Sequence, residues 1–250
     1  MSGRGVLVTG ASRGIGRAVA EAFAADGDMV AIHYRAAGDA ARSVARSLPG
    51  QGHVVVQADL TDPTAARMMV DEAVAGLGRL DVLVNNAGVY VEHAIAEMDY
   101  ERWVDIWRRT IDLNLIGAAN VSYCAARHMM RRGVGRIVNV SSRGAFRGEP
   151  NHPAYGASKA GLNALGQSLA QALGPYGIAV ATVAPGWVET DMTSRDLESP
   201  GGDEVRAQSP FGRVARPDEV AAAVLFLASP AAEFASGAIV DLNGASYLRT

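Results

Sequence analysis

Seven short runs of β-branched and aliphatic residues punctuate the chain, at 6–9, 29–33, 54–57, 82–85, 137–140, 179–183 and 239–242. Each is nearly continuous in apolar side chains instead of alternating with polar ones, which predicts parallel strands covered on both faces. Between the runs, apolar residues return at helical spacing. Ile15, Val19, Ala22 and Phe23 mark the first such stretch, and Gly27 follows as a stop. Asp62-Pro63 has the form of an N-cap followed by a first-turn proline, and Pro217 with Asp218 and Glu219 suits the start of a late helix. The alternation runs on without a low-complexity linker. It predicts one α/β unit with a doubly wound parallel sheet of seven strands flanked by helices, and a ligand at the carboxyl ends of the strands.

The first strand runs into Thr9-Gly10-Ala11-Ser12-Arg13-Gly14-Ile15-Gly16, and the first helix follows at once. Gly10, Gly14 and Gly16 allow a tight turn, and the backbone N–H groups of Ser12, Arg13 and Ile15 can approach a pyrophosphate at the helix N-terminus. A strand before and an amphipathic helix after are the context of a Rossmann-type dinucleotide site, whereas the glycines alone could serve a ligand-free turn. The second strand ends at His33-Tyr34-Arg35 with no acidic residue to take the adenosine ribose hydroxyls. Arg35 and Arg13 can both reach a phosphate, so NADP(H) is expected over NAD(H). Asp59-Leu60, after the third strand, can frame an adenine, though an aspartate opening a helix looks the same.

Tyr155 and Lys159 stand four residues apart, one turn apart on one helix face. A tyrosine near pKa ~10 is a poor proton carrier at neutrality. An ammonium about 5 Å away, at an effective dielectric of about 20, contributes roughly 3 kcal/mol, or about two pKa units, toward the phenolate. Tyr155 is then expected to act as acid in reduction and base in oxidation. Such a pair is common by chance and carries weight only with its surroundings.

Those surroundings are Thr9-Gly10-x-x-x-Gly14-x-Gly16, Asn85-Asn86-Ala87-Gly88, Asn114, Ser141-Ser142, Tyr155-x-x-x-Lys159 and Pro185-Gly186, in that order. The set resembles the short-chain dehydrogenase/reductase family over essentially the whole chain, and several strings resemble 3-oxoacyl-[acyl-carrier-protein] reductases. The resemblance implies one NADP(H)-binding domain over 1–250 that moves a hydride between nicotinamide and a carbonyl or secondary alcohol. It selects Ser142, thirteen residues before Tyr155, to hold the substrate oxygen. Lys159 would also hold the nicotinamide ribose, and Asn114 would bend its helix and anchor a water beside Lys159. Asn86, Ala87 and Gly88 would line the cofactor cleft, and Pro185, Gly186, Val188 and Thr190 would grip the carboxamide. A lid is expected around 193–211. Related acyl-carrier-protein reductases place basic residues where Gly133 and Tyr176 stand here, which weakens a carrier-protein partner, although Arg131 and Arg132 could substitute. Trp103 and the stretch 100–109 suggest one extra helical turn, and His152 and Asn151 stand where a substrate cleft or a plain polar loop would place them.

With 26 acidic against 23 basic residues, the net charge of -3 offers no general field for nucleic acid. The lone Cys124 permits no intrachain disulfide, and the histidines have no metal-ligand spacing, so no metal site is expected. The early first strand leaves no room for a signal peptide and no apolar run reaches membrane-spanning length, so a cytoplasmic location is expected. Ala157, Ala160, Gly161, Ala164, Leu165, Ser168, Leu169 and Ala172 form a small and apolar stripe beyond Tyr155, from which a homotetramer is expected. The substrate is a small carbonyl or alcohol, with a ketone or 3-oxoacyl thioester leading. A sugar or polyol dehydrogenase is the enzyme alternative, and a non-catalytic nucleotide sensor is the alternative of another kind.

Overall fold

The computed structural model describes residues 3–249. Its strands are β1 (Gly5–Val8), β2 (Met29–Tyr34), β3 (Val54–Gln57), β4 (Val82–Asn85), β5 (Gly135–Val140), β6 (Ile178–Pro185) and β7 (Ile239–Leu242). They form one parallel sheet in the order β3-β2-β1-β4-β5-β6-β7. The order reverses between β1 and β4, which opens a crevice at their carboxyl ends.

Ten helices connect the strands: α1 (Gly14–Ala25), α2 (Gly38–Ser47), α3 (Pro63–Leu77), α4 (Tyr100–Ile111), α5 (Ala118–Met130), α6 (Gly144–Arg147), α7 (Pro153–Leu173), α8 (Ser194–Glu198), α9 (Gly202–Ala207) and α10 (Pro217–Leu227). Side chains alternate across the sheet, so successive residues of β1 enter different cores. Val6 and Val8 pack with Val19 and Phe23 of α1 and Val220 and Val224 of α10. Leu7 faces the other layer, with Met69 and Val70 of α3 and Ala125 and Met129 of α5. Asp62 caps α3 by accepting from the N–H groups of Thr64 and Ala65 at 2.7 and 3.2 Å, with Pro63 in the first turn.

Among the strand ends that depart from the sequence pattern, three have a visible cause or consequence. Thr9 leaves β1, and its hydroxyl accepts from the N–H groups of Asn86 and Ala87 at 2.9 and 3.0 Å. β5 starts earlier, where buried Arg136 donates to Gly135 O and pairs with Glu233. β6 runs on to Pro185, a residue that reads as a breaker and is tolerated at the strand's last position.

Candidate active site

The glycine-rich turn closes by backbone contact. Gly10 and Gly14 lie at φ 66° and 56°, in the left-handed region that favours glycine. A Cβ at Gly16 would sit 2.4 Å from Gly10 O, so α1 can press onto the turn only without a side chain there. The Asn86 amide donates to the carbonyls of Thr9 and Gly10 at 2.8 and 3.2 Å, tying the turn to the end of β4. No side chain caps the first turn of α1. Its N-terminus is thus left to a ligand, and the dipole there favours an anion.

A cavity of about 400 Å3 runs from this turn along the strand ends. Gly10, Ser12, Arg13, Gly14, Ile15 and Gly16 line one stretch of it, and Tyr34, Arg35 and Leu60 another. Asn86, Ala87 and Gly88 follow, and then Ser142, Tyr155 and Lys159. Pro185, Gly186, Val188 and Thr190 close the far side. Asp59 is not among the lining residues. Its carboxylate accepts from the N–H and hydroxyl of Thr61 at 3.0 and 2.8 Å, which makes it a turn residue, as its position before a helix also permitted.

Arg35 is exposed at the cavity edge, and no acidic side chain lines the wall beside it. Arg13 faces Asp191 across the mouth at 4.0 Å. The residue that the sequence reading passed over here is His33. Only 2% exposed, it accepts from Gly10 N–H through Nδ1 at 3.0 Å and donates through Nε2 to Ala58 O at 3.2 Å. Burial pushes its pKa down to about 4, so the ring stays neutral in that tautomer.

At the other end, α7 carries Tyr155 and Lys159 on one face. Lys159 is buried, and its ammonium donates to Val140 O at 2.8 Å and lies 5.6 Å from the centroid of the Tyr155 ring. Burial brings the lysine down to about 8. Burial also drives the phenol up to about 12, against the opposing effect of Ser142 beside it. A neighbouring lysine charge was expected to favour the phenolate, whereas desolvation is the largest influence on the half-buried Tyr155 and Ser142 the one that opposes it. Ser142 accepts from Gly144 N–H at 3.0 Å, while Ser141 turns away and donates to Lys159 O at 3.2 Å.

Asn114 lies in a π-helical stretch, Asp112–Gly117, between α4 and α5. It does not line the cavity. Its amide spends both ends on Val89, accepting from N–H at 2.8 Å and donating to O at 3.0 Å, and also donates to Ser158 at 3.1 Å. A Cβ at Gly88 would lie 3.2 Å from Asn114 Oδ1 and 3.6 Å from Lys159 Nζ, so these three positions converge.

An aromatic wall stands beside Tyr155 that no local pattern announced. Tyr90 meets the Tyr155 ring edge-on at 4.8 Å and stacks on His152 at 3.6 Å with an interplanar angle of 7°. Trp187 meets Tyr90 edge-on at 6.3 Å. Behind them His93 accepts from Ala154 N–H at 3.1 Å and packs at 5.4 Å on Trp103, which leans on Trp107 at 5.8 Å. The extra turn of α4 thus supports the loop before Tyr155. His152 is half-buried against Tyr90 and is not among the cavity's lining residues, whereas Asn151 is exposed and reaches Glu92 at 3.3 Å.

Residues 10–244 match a family model described as enoyl-(acyl carrier protein) reductase. An L-rhamnose 1-dehydrogenase (NAD(P)(+)) of Sphingomonas is 39% identical, over 99% of this chain and 98% of its own. A 3-oxoacyl-[acyl-carrier-protein] reductase of Staphylococcus aureus is 36% identical over 98% of both. A short-chain dehydrogenase of Burkholderia cenocepacia, solved in complex with NADP, superposes with a TM-score of 0.88 at 35% identity over 98% of both chains. With these likenesses spanning almost every residue, the chain belongs to the short-chain dehydrogenase/reductase family of oxidoreductases.

Proposed function

We propose that the protein is an NADP(H)-linked oxidoreductase that interconverts a ketone and a secondary alcohol, working mainly as a ketoreductase. One observation carries this reading: Ser142, Tyr155 and Lys159 line the same cavity as the glycine-rich turn, so a dinucleotide laid along the strand ends reaches all three. The fit is good at both ends, since Gly10, Gly14 and Gly16 leave a cradle that side chains would fill, and Arg35 stands where a 2′-phosphate would fall. The bound nicotinamide supplies the hydride, and in its oxidised form a positive charge beside the phenol.

Ser142 holds the substrate oxygen and Tyr155 exchanges its proton. Lys159, fixed on Val140 O, places a second donor near the nicotinamide ribose. Asn114 acts one step further out. Its side chain is spent on Val89 and Ser158, which leaves the main chain of the widened π-turn to hold a water beside Lys159. α8 and α9 form the lid. A 3-oxoacyl thioester remains within reach of the cleft, but a carrier-protein partner draws little support. Arg132 is tied to Asp81 at 3.2 Å and Arg131 bonds His128. A sugar or polyol substrate run toward oxidation is the second reading, favoured by the rhamnose dehydrogenase relative.

A homotetramer completes the proposal. Gly161, Leu165 and Leu169 of the stripe lie toward the subunit's own interior, and a Cβ at Gly161 would meet Leu115 at 2.8 Å. Ala157, Ala160, Ala164, Ser168 and Ala172 remain exposed for a partner helix. Phe234 and Phe226, both exposed near the β7 edge, supply a second patch.

The test is NADPH consumption across acyl thioesters, diketones, sugars and steroids, followed by Tyr155→Phe on the best substrate. Loss of about a hundredfold or more in turnover with NADPH affinity retained is expected, because only the proton path is removed. Lys159→Ala should harm both. Near-normal turnover in Tyr155→Phe would refute the mechanism.

A further inference from the structure

Arg143 follows Ser142 directly and has no part in the chemistry above. It is 3% exposed, and its main-chain N–H donates to Pro185 O at 2.9 Å, which fixes it between β5 and β6. Its guanidinium donates to the hydroxyl of Ser246 and to the amide oxygen of Gln208, both neutral. Among the described residues no carboxylate lies within salt-bridge distance of it. Glu149 acts on it only through space, and Arg147 opposes that effect.

A guanidinium keeps its charge at any ordinary pH, and a buried charge without a counter-ion is costly. Arg143 nevertheless lines a cavity of about 220 Å3 beneath the lid, with Trp187, Val205 and Phe211. Two acids on that cavity are already engaged, Asp241 by Arg249 at 2.7 Å and Glu219 by Arg213 at 2.7 Å. The turn that presents Ser246 holds Ala245 at φ 58°, a strained value for a residue with a Cβ. Trp187 meets Tyr90 edge-on at 6.3 Å and Tyr90 meets Tyr155 at 4.8 Å, so two ring contacts link this cavity to the reacting centre, and Arg143 follows Ser142 in the chain.

We propose that Arg143 is the counter-charge for a carboxylate on the substrate, so that the protein acts on oxo acids and hydroxy acids whose apolar body lies against Trp187. The inference rests on the oxidoreductase reading and narrows its substrate class. A guanidinium fork pairs with a carboxylate through two parallel N–H bonds, and a neutral isostere forfeits the charge-assisted part. Gln208 comes from the segment after α9 and Ser246 from the one after β7, so both hold the fork ready from opposite sides.

The experiment compares linear and cyclic oxo acids with their methyl esters under NADPH, in the unmodified protein, Arg143→Gln and Arg143→Lys. The acid should exceed its ester in kcat/KM by about tenfold or more. Arg143→Gln should erase that ratio mainly through the KM of the acid, and Arg143→Lys should restore part of it. Equal use of acid and ester by the unmodified protein would overturn the inference, as would turnover confined to neutral carbonyls. An equal loss for acid and ester in Arg143→Gln would reduce Arg143 to a pin for the lid and overturn it too. No NADPH consumption with any carbonyl would remove the oxidoreductase reading itself, and this inference with it.

Discussion

Protonating His33 should cost the protein both stability and cofactor affinity. The ring accepts from Gly10 N–H and donates to Ala58 O, which only the neutral Nε2–H tautomer can do. Its pKa lies at about 4 in the folded protein against an ordinary 6.5. The folded value is depressed, so the unfolded chain binds a proton first as pH falls. The stability is therefore whole above about 6.5 and is lost progressively as pH drops through about 4. A gap of that size corresponds to about 3 kcal/mol when fully expressed, of which about 2 kcal/mol is lost between roughly pH 7.5 and pH 5. Urea unfolding followed by tryptophan fluorescence at those two values measures it. His33→Asn does not titrate there, so it should start less stable but lose about 2 kcal/mol less on acidification, at an unchanged m-value. The other four histidines contribute equally to both proteins and cancel in the difference. NADPH affinity of the unmodified protein should hold down to about pH 5 and fall only as pH drops through about 4, where the folded ring takes up its proton and Gly10 N–H loses its acceptor. Parallel losses in the two proteins would refute the assignment.

Two further expectations concern the cofactor and the assembly. Arg35→Asp should weaken NADPH by about ten- to a hundredfold while sparing NADH, since a charged hydrogen bond is replaced by repulsion. A lower dissociation constant for NADH than for NADPH in the unmodified protein would count against the whole cofactor argument. Ala164→Arg should yield a smaller species by light scattering without loss of fold, because Ala164 is exposed in the subunit. A monomer mass for active, unmodified protein at micromolar concentration would refute the tetramer.

The sheet and most of the cleft were legible because their signals are local. Strand cores, the glycine turn and the helical spacing of Tyr155 and Lys159 each declare themselves within a few residues. What escaped depended on solvation or on contacts between distant segments. Spacing brought the phenol and the ammonium together, but it gave no measure of the water removed from around them, and burial reversed the expected direction at Tyr155. Tyr90 follows β4, His152 opens α7 and Trp187 follows β6, so no periodicity links them. His33 reads as a strand residue, and its role appears only when β3 brings Ala58 to one side of the ring and the glycine turn to the other. Asp59 could frame an adenine or simply open a helix on the sequence alone, and its carboxylate accepts from Thr61.

The two halves of the cleft are built by different means, and this bears on where specificity can change. On the cofactor side Thr9, His33, Asn86 and Asn114 spend their side-chain polar atoms almost wholly on main-chain groups. Buried bonds of this sort leave few alternatives, since removing one partner strands the other without water. The turn is therefore preorganised, and replacing Thr9 or Asn114, neither of which lines the cavity, should damage binding through the main chain they hold. Beside Tyr155 the wall is made of stacked rings, and the segment after α9 is tied through Gln208 and Arg143 to Ser246 after β7. Rings and side-chain ties can be exchanged without disturbing the sheet. The relatives named above, similar along the whole chain, carry names as different as a rhamnose dehydrogenase and a 3-oxoacyl-[acyl-carrier-protein] reductase. On the function and inference proposed above, substrate choice falls to Tyr90, Arg143, His152 and Trp187, and the chemistry to Ser142, Tyr155 and Lys159.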